Sequence, residues 1–282
     1  DPAAVREIEA TLKAADVEQI VHTRADDPLP DTSVTIWVGG PSENAASAEA
    51  LERLNTEGSE DLGEEGYVFV SDVDGSGKSH IVLAGKDQVG TFYAAQTFKQ
   101  IIQERSEEYW VPAVEIRDWP EMPIRGAIEG FYGPPWSHED RLEQLRFYGE
   151  HKMNAYIYAP KDDPYHREKW REPYPEDELA ALQALVEEAN DQHITFTFAI
   201  SPGNTICFSD DDDFEALLEK AEAVWDLGVR SYAIFLDDID PSLRCAADRE
   251  TFGDDRNPPA SAQAYLLNRF NEEFIQTHEG AE

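Results

Sequence analysis

Apolar and polar positions alternate in two different rhythms along the chain, and the first rhythm covers residues 1–119. Apolar residues at helical spacing predict helices over 5–21, 45–54 and 91–104. Short apolar runs bounded by glycine, proline or aspartate predict strands over 34–38, 66–71 and 80–84. Residues 111–119 are interpreted as a connector. This mixture predicts a small N-terminal α/β domain over residues 1–119.

The second rhythm begins at residue 120, where strand and helix patterns alternate strictly. Strands are predicted over 125–130, 155–159, 194–200 and 231–236, and helices over 138–151, 176–190, 214–227 and 261–277. Repeated strand–helix units indicate a parallel sheet with crossover helices. Polar residues directly after each strand are typical of a (β/α)8 barrel. Only about four of the eight units are present, so residues 120–282 are predicted to be the first half of a catalytic barrel, with the C-terminal half missing.

The charge narrows the range of partners. The chain has 59 acidic and 23 basic residues, which give a formal net charge of −36. A field of this sign repels phosphate backbones, so we expect no nucleic-acid partner, and it disfavours an anionic polysaccharide such as hyaluronan. Dispersed acid with few lysines is typical of a salt-adapted, halophilic surface. The acidic run 210–213 directly precedes a predicted helix. We expect its negative charge to stabilise the positive end of the helix dipole rather than to bind a metal.

Other residue classes add little chemistry. No apolar run approaches the ~20 residues of a membrane helix, so we expect a soluble protein without a membrane partner. The sequence does not define localisation; secretion and a high-salt environment are the alternatives. Cys207 and Cys245 cannot define a disulfide framework, and free thiols are the expected state. His151 and His166 lack further ligands at metal spacing, so no metal is predicted.

Asp237 and Asp238 directly follow an apolar run that is long enough to be a buried strand. Two carboxylates that leave a buried strand together are costly unless they are paired, hydrogen-bonded or used. Like charges so close separate the two protonation equilibria, so that one group can remain a proton donor, as sugar transfer requires. The alternative is that the pair caps the following loop or holds a cation. Spacing alone does not separate the two interpretations.

Five motifs occur in a fixed order around this pair. They are Glu129-Gly130-Phe131-Tyr132-Gly133-Pro134-Pro135-Trp136, Tyr158-Ala159-Pro160-Lys161-Asp162-Asp163, Ala199-Ile200-Ser201-Pro202-Gly203, Phe235-Leu236-Asp237-Asp238-Ile239-Asp240 and Cys245-Ala246-Ala247-Asp248. Together they closely resemble glycoside hydrolase family 84, which contains protein O-GlcNAcases and enzymes once named hyaluronidases. The resemblance is dense over residues 123–252 and extends back through residues 83–97, which are similar to the family's N-terminal domain.

The resemblance implies a retaining β-N-acetylglucosaminidase without metal or organic cofactor. Its substrate would be an N-acetylglucosamine-containing glycoconjugate or glycoprotein. The 2-acetamido oxygen of the sugar would attack the anomeric carbon and form an oxazoline. By position in the motifs, Asp237 would orient the acetamido N–H, and Asp238 would protonate the leaving oxygen and later activate water. Gly130, through its backbone, and Lys161, through its ammonium, match positions that contact sugar hydroxyls.

Purely structural roles are alternatives to the two proposed sugar contacts. Gly130 is also explained by a tight turn, and Lys161 by a salt bridge to Asp162 or Asp163. Asp240 is expected to form a loop hydrogen bond, and the aromatic residues Tyr132, Trp136 and Tyr158 are interpreted as packing residues. The family's acetamido-pocket tyrosine and the Asn, Asp and Trp that complete the sugar site come from later strands, so this chain alone is expected to be an incomplete enzyme. The alternatives are a hexosaminidase or hyaluronidase acting on oligo- or polysaccharide, and a non-catalytic glycan-binding fragment.

Overall fold

The computed structural model describes residues 1–24, 27–106 and 108–282. They form two compact units, the first of Asp1–Pro123 with Gly149–Lys152 and the second of Ile124–Tyr148 with Met153–Glu282. None of the helices in this described part combines the length and the apolar character needed to cross a lipid bilayer.

The first unit is a mixed four-stranded sheet with helices on both faces. Its helices are α1 (Pro2–Ala14), α2 (Ala45–Arg53) and α3 (Gln88–Ile101). Its strands are β1 (Val34–Val38), β2 (Tyr67–Val73), β3 (Ser79–Gly85), the short pair β4 (Gln103–Arg105) and β5 (Glu108–Trp110), and β6 (Val114–Asp118). The sheet order is β1-β3-β2-β6; β1 is parallel to β3, and β2 is antiparallel to both of its neighbours. Apolar residues of α1 and α3 pack on one face and those of α2 on the other.

Three predictions for this unit need correction. Residues 111–119 are not a connector, because 114–118 pair with β2 as an edge strand of the sheet. The helix predicted over 91–104 ends at Ile101, and 103–105 form one arm of the β4–β5 hairpin. The helix predicted over 5–21 ends at Ala14, because Asp16 adopts a left-handed φ of 55° and the Val17 N–H donates to the carbonyl of Leu12 over 3.0 Å.

The second unit repeats strand and helix. Its strands are β7 (Gly126–Glu129), β8 (Ala155–Tyr158), β9 (Thr195–Ile200) and β10 (Ser231–Ile234). Its helices are α4 (His138–Glu150), α5 (Glu176–Asp191), α6 (Asp211–Trp225), α7 (Ala246–Phe252) and α8 (Pro258–Glu273), with single 3-10 turns at Pro164–His166 and Ile275–Thr277. The short helix α7 is the element of this unit that the apolar pattern does not predict.

The four strands of the second unit form a parallel sheet in chain order, β7-β8-β9-β10. Helices α5, α6 and α8 cover it with a continuous core that includes Leu185, Leu217 and Leu266. β9 is buried over most of its length, whereas every residue of β10 is only partly buried. The reason is that β10 is the last strand of this sheet and pairs with a neighbouring strand, β9, on one side only. The fourth strand, expected to be buried, is therefore only partly buried in this chain.

Glu282 lies beside the outer edge of β10. Its N–H donates to the carbonyl of Arg230, and its carbonyl accepts from the N–H of Tyr232, both over 2.9 Å. This is the hydrogen-bond pattern of a parallel bridge. On its other side β10 pairs with β9, and just beyond β10 the Phe235 N–H donates to the carbonyl of Ile200 in β9 over 2.8 Å.

Candidate active site

The carboxyl ends of the four parallel strands meet at one edge of the sheet, and the predicted site residues follow them there. Gly130 comes directly after β7, and Lys161 comes three residues after β8. Asp237 and Asp238 come after β10, and the loop from residue 201 to 210 comes after β9. A parallel sheet aligns such loops because every strand runs in the same direction. The sheet order therefore brings all four predicted residues to the same edge.

Asp237 and Asp238 lie in an exposed bend, not in a buried one. The expectation that the pair leaves a buried strand is wrong, because the strand before it is an edge strand. Asp238 has a φ of 52°, in the left-handed region. Aspartate tolerates this conformation better than most side chains. Both carboxylates are consequently accessible from solvent at the carboxyl edge of the sheet.

The loop after β9 supports the bend from one side. A Cβ on Gly203 would lie 2.9 Å from Ile239 Cδ1 and 3.3 Å from Leu236 Cδ2, so a larger residue here would require these side chains to shift. Beyond Ile239, Asp240 accepts a hydrogen bond from Ser242 N–H over 2.9 Å, which confirms the predicted loop role of Asp240. Hydrogen bonding by the Ser242 side chain, followed by this backbone hydrogen bond, lowers the pKa of Asp240.

The structure does not require glycine at position 130. Gly130 is outside the left-handed region of φ. An added Cβ would meet Ile128 Cγ2 at 3.5 Å and the Ala159 carbonyl oxygen at 4.0 Å, which are ordinary contacts. A strained turn therefore does not explain this glycine, and its open side is free for an approaching ligand.

Lys161 is not held by the acids that follow it. Its ammonium lies 5.2 Å from the centroid of the exposed Tyr132 ring. Asp162 instead accepts from Arg141 Nη2 over 3.1 Å. Asp163 accepts from the hydroxyl of Tyr174 over 2.7 Å and from that of Tyr158 over 3.0 Å. The salt bridge that was the alternative for Lys161 is thus absent among the described residues.

Arg141 and Glu129 form a buried ion pair below these loops that the sequence interpretation missed. Glu129 is the last residue of β7, and its side chain is 2% exposed. Arg141 donates from Nε over 2.9 Å and from Nη2 over 2.9 Å to the two carboxylate oxygens, in the bidentate geometry that favours arginine. The Tyr156 hydroxyl donates to the same carboxylate. In sequence, the only signal was an acidic residue at the end of an apolar strand.

The start of α4 fixes where Arg141 lies. Ser137 N–H donates to Asp140 Oδ2 over 2.9 Å, and Asp140 N–H donates back to Ser137 Oγ over 3.1 Å. These reciprocal bonds form a capping box, which closes the first turn of a helix. Arg141 therefore projects from a rigid helix start.

A second buried group stabilises the segment after β8. Lys220 of α6 donates to the carbonyls of Tyr165 and Glu172, and its ammonium lies 4.4 Å from the Tyr174 ring centroid. Burial lowers the pKa of Lys220 to about 8, although Asp163 and Glu172 act in the opposite direction. Burial, followed by the charge of Asp163, raises the pKa of the Tyr158 hydroxyl well above its ordinary value. Tyr158 thus acts as a neutral donor in this network.

Cys207 and Cys245 form a disulfide, with their Cα atoms 5.7 Å apart, so the prediction of free thiols is wrong. The loops after β9 and β10 approach each other at this point. Asp248, which is fully buried, joins the same two loops by accepting from Phe208 N–H over 3.0 Å and from Ser209 N–H over 2.8 Å. Although the two sulfurs and this carboxylate are close enough to suggest a metal site, the sulfurs are bonded to each other.

The remaining candidates have structural roles. His166 is buried, and its Nε2 lies 2.9 Å from the Pro160 carbonyl oxygen; burial lowers its pKa. Trp136 packs edge-on against Phe131 with ring centroids 5.3 Å apart. The acidic run 210–213 forms the N-cap and first turn of α6, where Asp210 accepts from the N–H groups of Asp212 and Asp213, as predicted for a helix N-terminus.

Comparisons with known proteins show which families this chain is similar to. The family model for beta-N-acetylglucosaminidase matches residues 125–282, and that for domain 2 of glycosyl hydrolase family 20 matches residues 1–119. The Protein O-GlcNAcases of Rattus norvegicus and Mus musculus are each 45% identical to this chain over 127 residues, which cover 45% of this chain and 14% of each relative.

Two solved structures are also similar. The structure of CpGH84B has 39% sequence identity and a TM-score of 0.77, covering 100% of this chain and 44% of that chain. An O-GlcNAc hydrolase mutant of Thermobaculum terrenum has 42% identity and a TM-score of 0.53, covering 56% of this chain and 34% of that chain. The chain therefore spans less than half the length of each of these proteins.

Proposed function

The chain belongs to the β-N-acetylglucosaminidase family, glycoside hydrolase family 84, and from this premise we propose that it supplies the catalytic carboxylates of a retaining β-N-acetylglucosaminidase. The proposed reaction removes a terminal β-linked N-acetylglucosamine from a glycoconjugate or glycoprotein. The observation that carries the proposal is the exposed Asp237-Asp238 bend, at the same sheet edge as Gly130 and Lys161.

The proposed mechanism uses the substrate's own nucleophile. Asp237 accepts the acetamido N–H and turns the amide so that its oxygen attacks the anomeric carbon. Asp238 protonates the glycosidic oxygen as the bond to the anomeric carbon breaks, which leaves an oxazoline. Asp238 then removes a proton from a water molecule as that water attacks the anomeric carbon. This attack opens the oxazoline ring and gives a product with the β-configuration.

The adjacency of the two aspartates supports this mechanism over an enzyme nucleophile. A retaining pair with an enzyme nucleophile places its carboxyl groups about 5 Å apart across the sugar, and substrate-assisted families are the exception to that scheme. Two consecutive residues on one loop leave little room for a sugar ring between their carboxylates. The left-handed φ of Asp238 adds support, because unusual backbone conformations concentrate at functional sites.

Gly130 and Lys161 are proposed as substrate contacts. The open side of Gly130 permits a sugar hydroxyl to approach the backbone, and the Lys161 ammonium is available as a donor. The parallel β7-β8-β9-β10 order and the bridge of Glu282 beside β10 support a larger (β/α)8 barrel, of which these strands are the first four.

The mechanism predicts different penalties for the two aspartates in the natural protein at its full length. Asp238→Asn should lower kcat/KM by about 10²–10⁴-fold on a substrate with a poor leaving group, because general acid help is lost. The loss should shrink with a good leaving group, which departs without protonation. Hydrolysis of aryl β-N-acetylglucosaminides of graded leaving-group pKa measures this. An equal loss across the series would contradict the acid role.

Asp237→Asn should retain its penalty across the same leaving groups, because Asp237 acts on the acetamido group. Substrates with one, two or three fluorines on the acetamido methyl test the nucleophile directly. In the parent enzyme, the logarithm of the rate should fall steeply with fluorine count, since each fluorine makes the amide oxygen less nucleophilic. A flat series would show that this oxygen does not attack. Tight sugar binding without turnover would instead identify a glycan-binding protein.

A further inference from the structure

We propose that Arg141 is a positioning residue that keeps Lys161 available for substrate by holding Asp162 away from it. The inference rests on the proposed role of Lys161 as a sugar contact. Arg141 itself is buried below the loops, with a side chain 11% exposed, and is not proposed to touch substrate.

The need for such a residue follows from the local sequence. Lys161 is followed by two acids, Asp162 and Asp163. A lysine paired with a neighbouring carboxylate would offer fewer donors to a sugar hydroxyl, and its charge would be partly neutralised. In the structure, both acids are engaged elsewhere, and the ammonium lies over the Tyr132 ring, a contact that leaves its N–H groups able to donate.

Arg141 is the group that occupies Asp162. One guanidinium nitrogen, Nη2, donates both to Glu129 over 2.9 Å and to Asp162 over 3.1 Å. Because Glu129 immediately precedes Gly130 and Asp162 immediately follows Lys161, one side chain joins the end of β7 to the loop after β8, next to both proposed substrate contacts. The tyrosine hydroxyls hold Asp163 in the same way.

Arg141→Lys tests this in the full-length protein. An ammonium cannot reproduce the planar fork that serves both carboxylates. It should stay with Glu129, which is 2% exposed and the costlier charge to leave unpaired, and release Asp162, which is 43% exposed. Asp162 should then pair with Lys161. We expect KM to rise about tenfold with little change in kcat, because one hydrogen bond to a charged group is lost.

The double variant Arg141→Lys/Asp162→Asn distinguishes positioning from mere stability. Removing the carboxylate that captures Lys161 should restore KM to near the parent value, although the double variant has lost one more ion pair. Arg146→Lys is the matched control, since Arg146 lies on the same helix and pairs with Glu188 at the surface. It should leave KM unchanged. A KM that stays high in the double variant would overturn the proposal.

A crystal structure of Arg141→Lys gives a readout that does not depend on activity. Lys161 Nζ should lie within 4 Å of an Asp162 carboxylate oxygen. If it does not, Arg141 does not control Lys161, and the inference fails while the proposed function stands. If the new pair forms but KM is unchanged, Lys161 does not contact substrate, and that part of the proposed function fails with the inference.

Discussion

Glu129 and Asp248 are carboxylates that the second unit buries almost completely, and each has several hydrogen-bond donors. A buried charge without partners costs far more than one that is paired and hydrogen-bonded. Both residues lie beside loops at the carboxyl edge of the sheet. The donors therefore explain how these charges are tolerated, and the hydrogen bonds fix the shape of the loops.

Lys220 is a buried cation, and its titration gives a prediction. The pKa of about 8 in the folded protein is below the ordinary value of 10.5, mainly because of burial. Between these two pH values the unfolded chain binds more protons, so this residue's contribution to stability should rise with pH. Relative to Lys220→Met, the free energy of unfolding of the parent should increase by up to about 3 kcal/mol from pH 8 to 10.5.

Urea unfolding of both proteins at a series of pH values measures the difference, and groups other than Lys220 cancel in the comparison. Below pH 8 the difference should be constant, because both states are then protonated. A difference that is flat or falls above pH 8 would show that Lys220 is charged in the folded state throughout this range.

The candidate site residues that lie in short motifs could be predicted from the sequence. Residues whose role depends on a partner far away along the chain could not. Asp237, Asp238 and Lys161 follow predicted strands and Gly130 ends one, and the structure brings all four to one end of the parallel sheet. Their proposed roles remain predictions. Arg141 lies 12 residues from Glu129 and Asp248 lies 40 residues from Phe208, and nothing local indicates either partner. The pairing of Cys207 with Cys245 depends on loop geometry in the same way.

At the scale of single elements, several helices end without the glycine that usually marks a C-terminus. Helices α1, α2 and α5 are followed by Asp16, Asn55 and His193, each with φ between 54° and 55°. In each case the next N–H donates back to a carbonyl in the last turn: Val17 to Leu12, Thr56 to Leu51 and Ile194 to Ala189. This is the Schellman arrangement, which glycine adopts at least cost.

Asp16→Gly should therefore stabilise α1. Glycine adopts the left-handed conformation without the steric cost that a side chain imposes, which is about 1 kcal/mol. The urea midpoint should rise accordingly. Ala10→Gly, at an exposed position inside the same helix, is the matched control and should lower stability by about 1 kcal/mol. A fall in the midpoint for Asp16→Gly would show that the aspartate side chain contributes more than its backbone conformation costs.

The pattern of apolar residues predicted the long elements better than the short ones. The long helices of the second unit and β9 were found because they bury apolar residues in a common core. β7 and β10 bury far less, since Ile128 of β7 is 55% exposed and every residue of β10 is only partly buried. The hairpin strands β4 and β5 have three residues each, all exposed, so they show no alternation between buried and solvent-facing positions. β6 was missed because its edge position leaves most of its residues half-buried, and α7 because seven residues span barely two turns.

At the scale of the whole molecule, charge is the dominant feature. With 59 acidic and 23 basic residues, pairing every cation would still leave 36 carboxylates unpaired. Repulsion among these carboxylates destabilises the compact state, whereas each surface ion pair stabilises it only slightly. Salt should therefore favour folding, even though it also weakens the ion pairs.

The melting temperature should rise as potassium chloride is increased from 0.1 M to 1 M. Over that range the Debye length shortens from about 10 Å to about 3 Å, which screens repulsion between surface carboxylates. Differential scanning fluorimetry measures the shift, with sucrose of matched osmolality as a control that does not screen charge. A flat or falling curve in potassium chloride would refute salt adaptation.

The disulfide between Cys207 and Cys245 closes a covalent ring that contains α6, β10 and both aspartates of the exposed bend. With a sequence separation of 38 between its two cysteines, such a ring removes loop-closure entropy from the denatured ensemble worth about 4 kcal/mol. The loop after β9 and the start of α7 cannot separate even when the chain unfolds. Refolding therefore begins with the two loops already joined, and the segment that carries Asp237 and Asp238 has fewer non-native conformations available in the unfolded state.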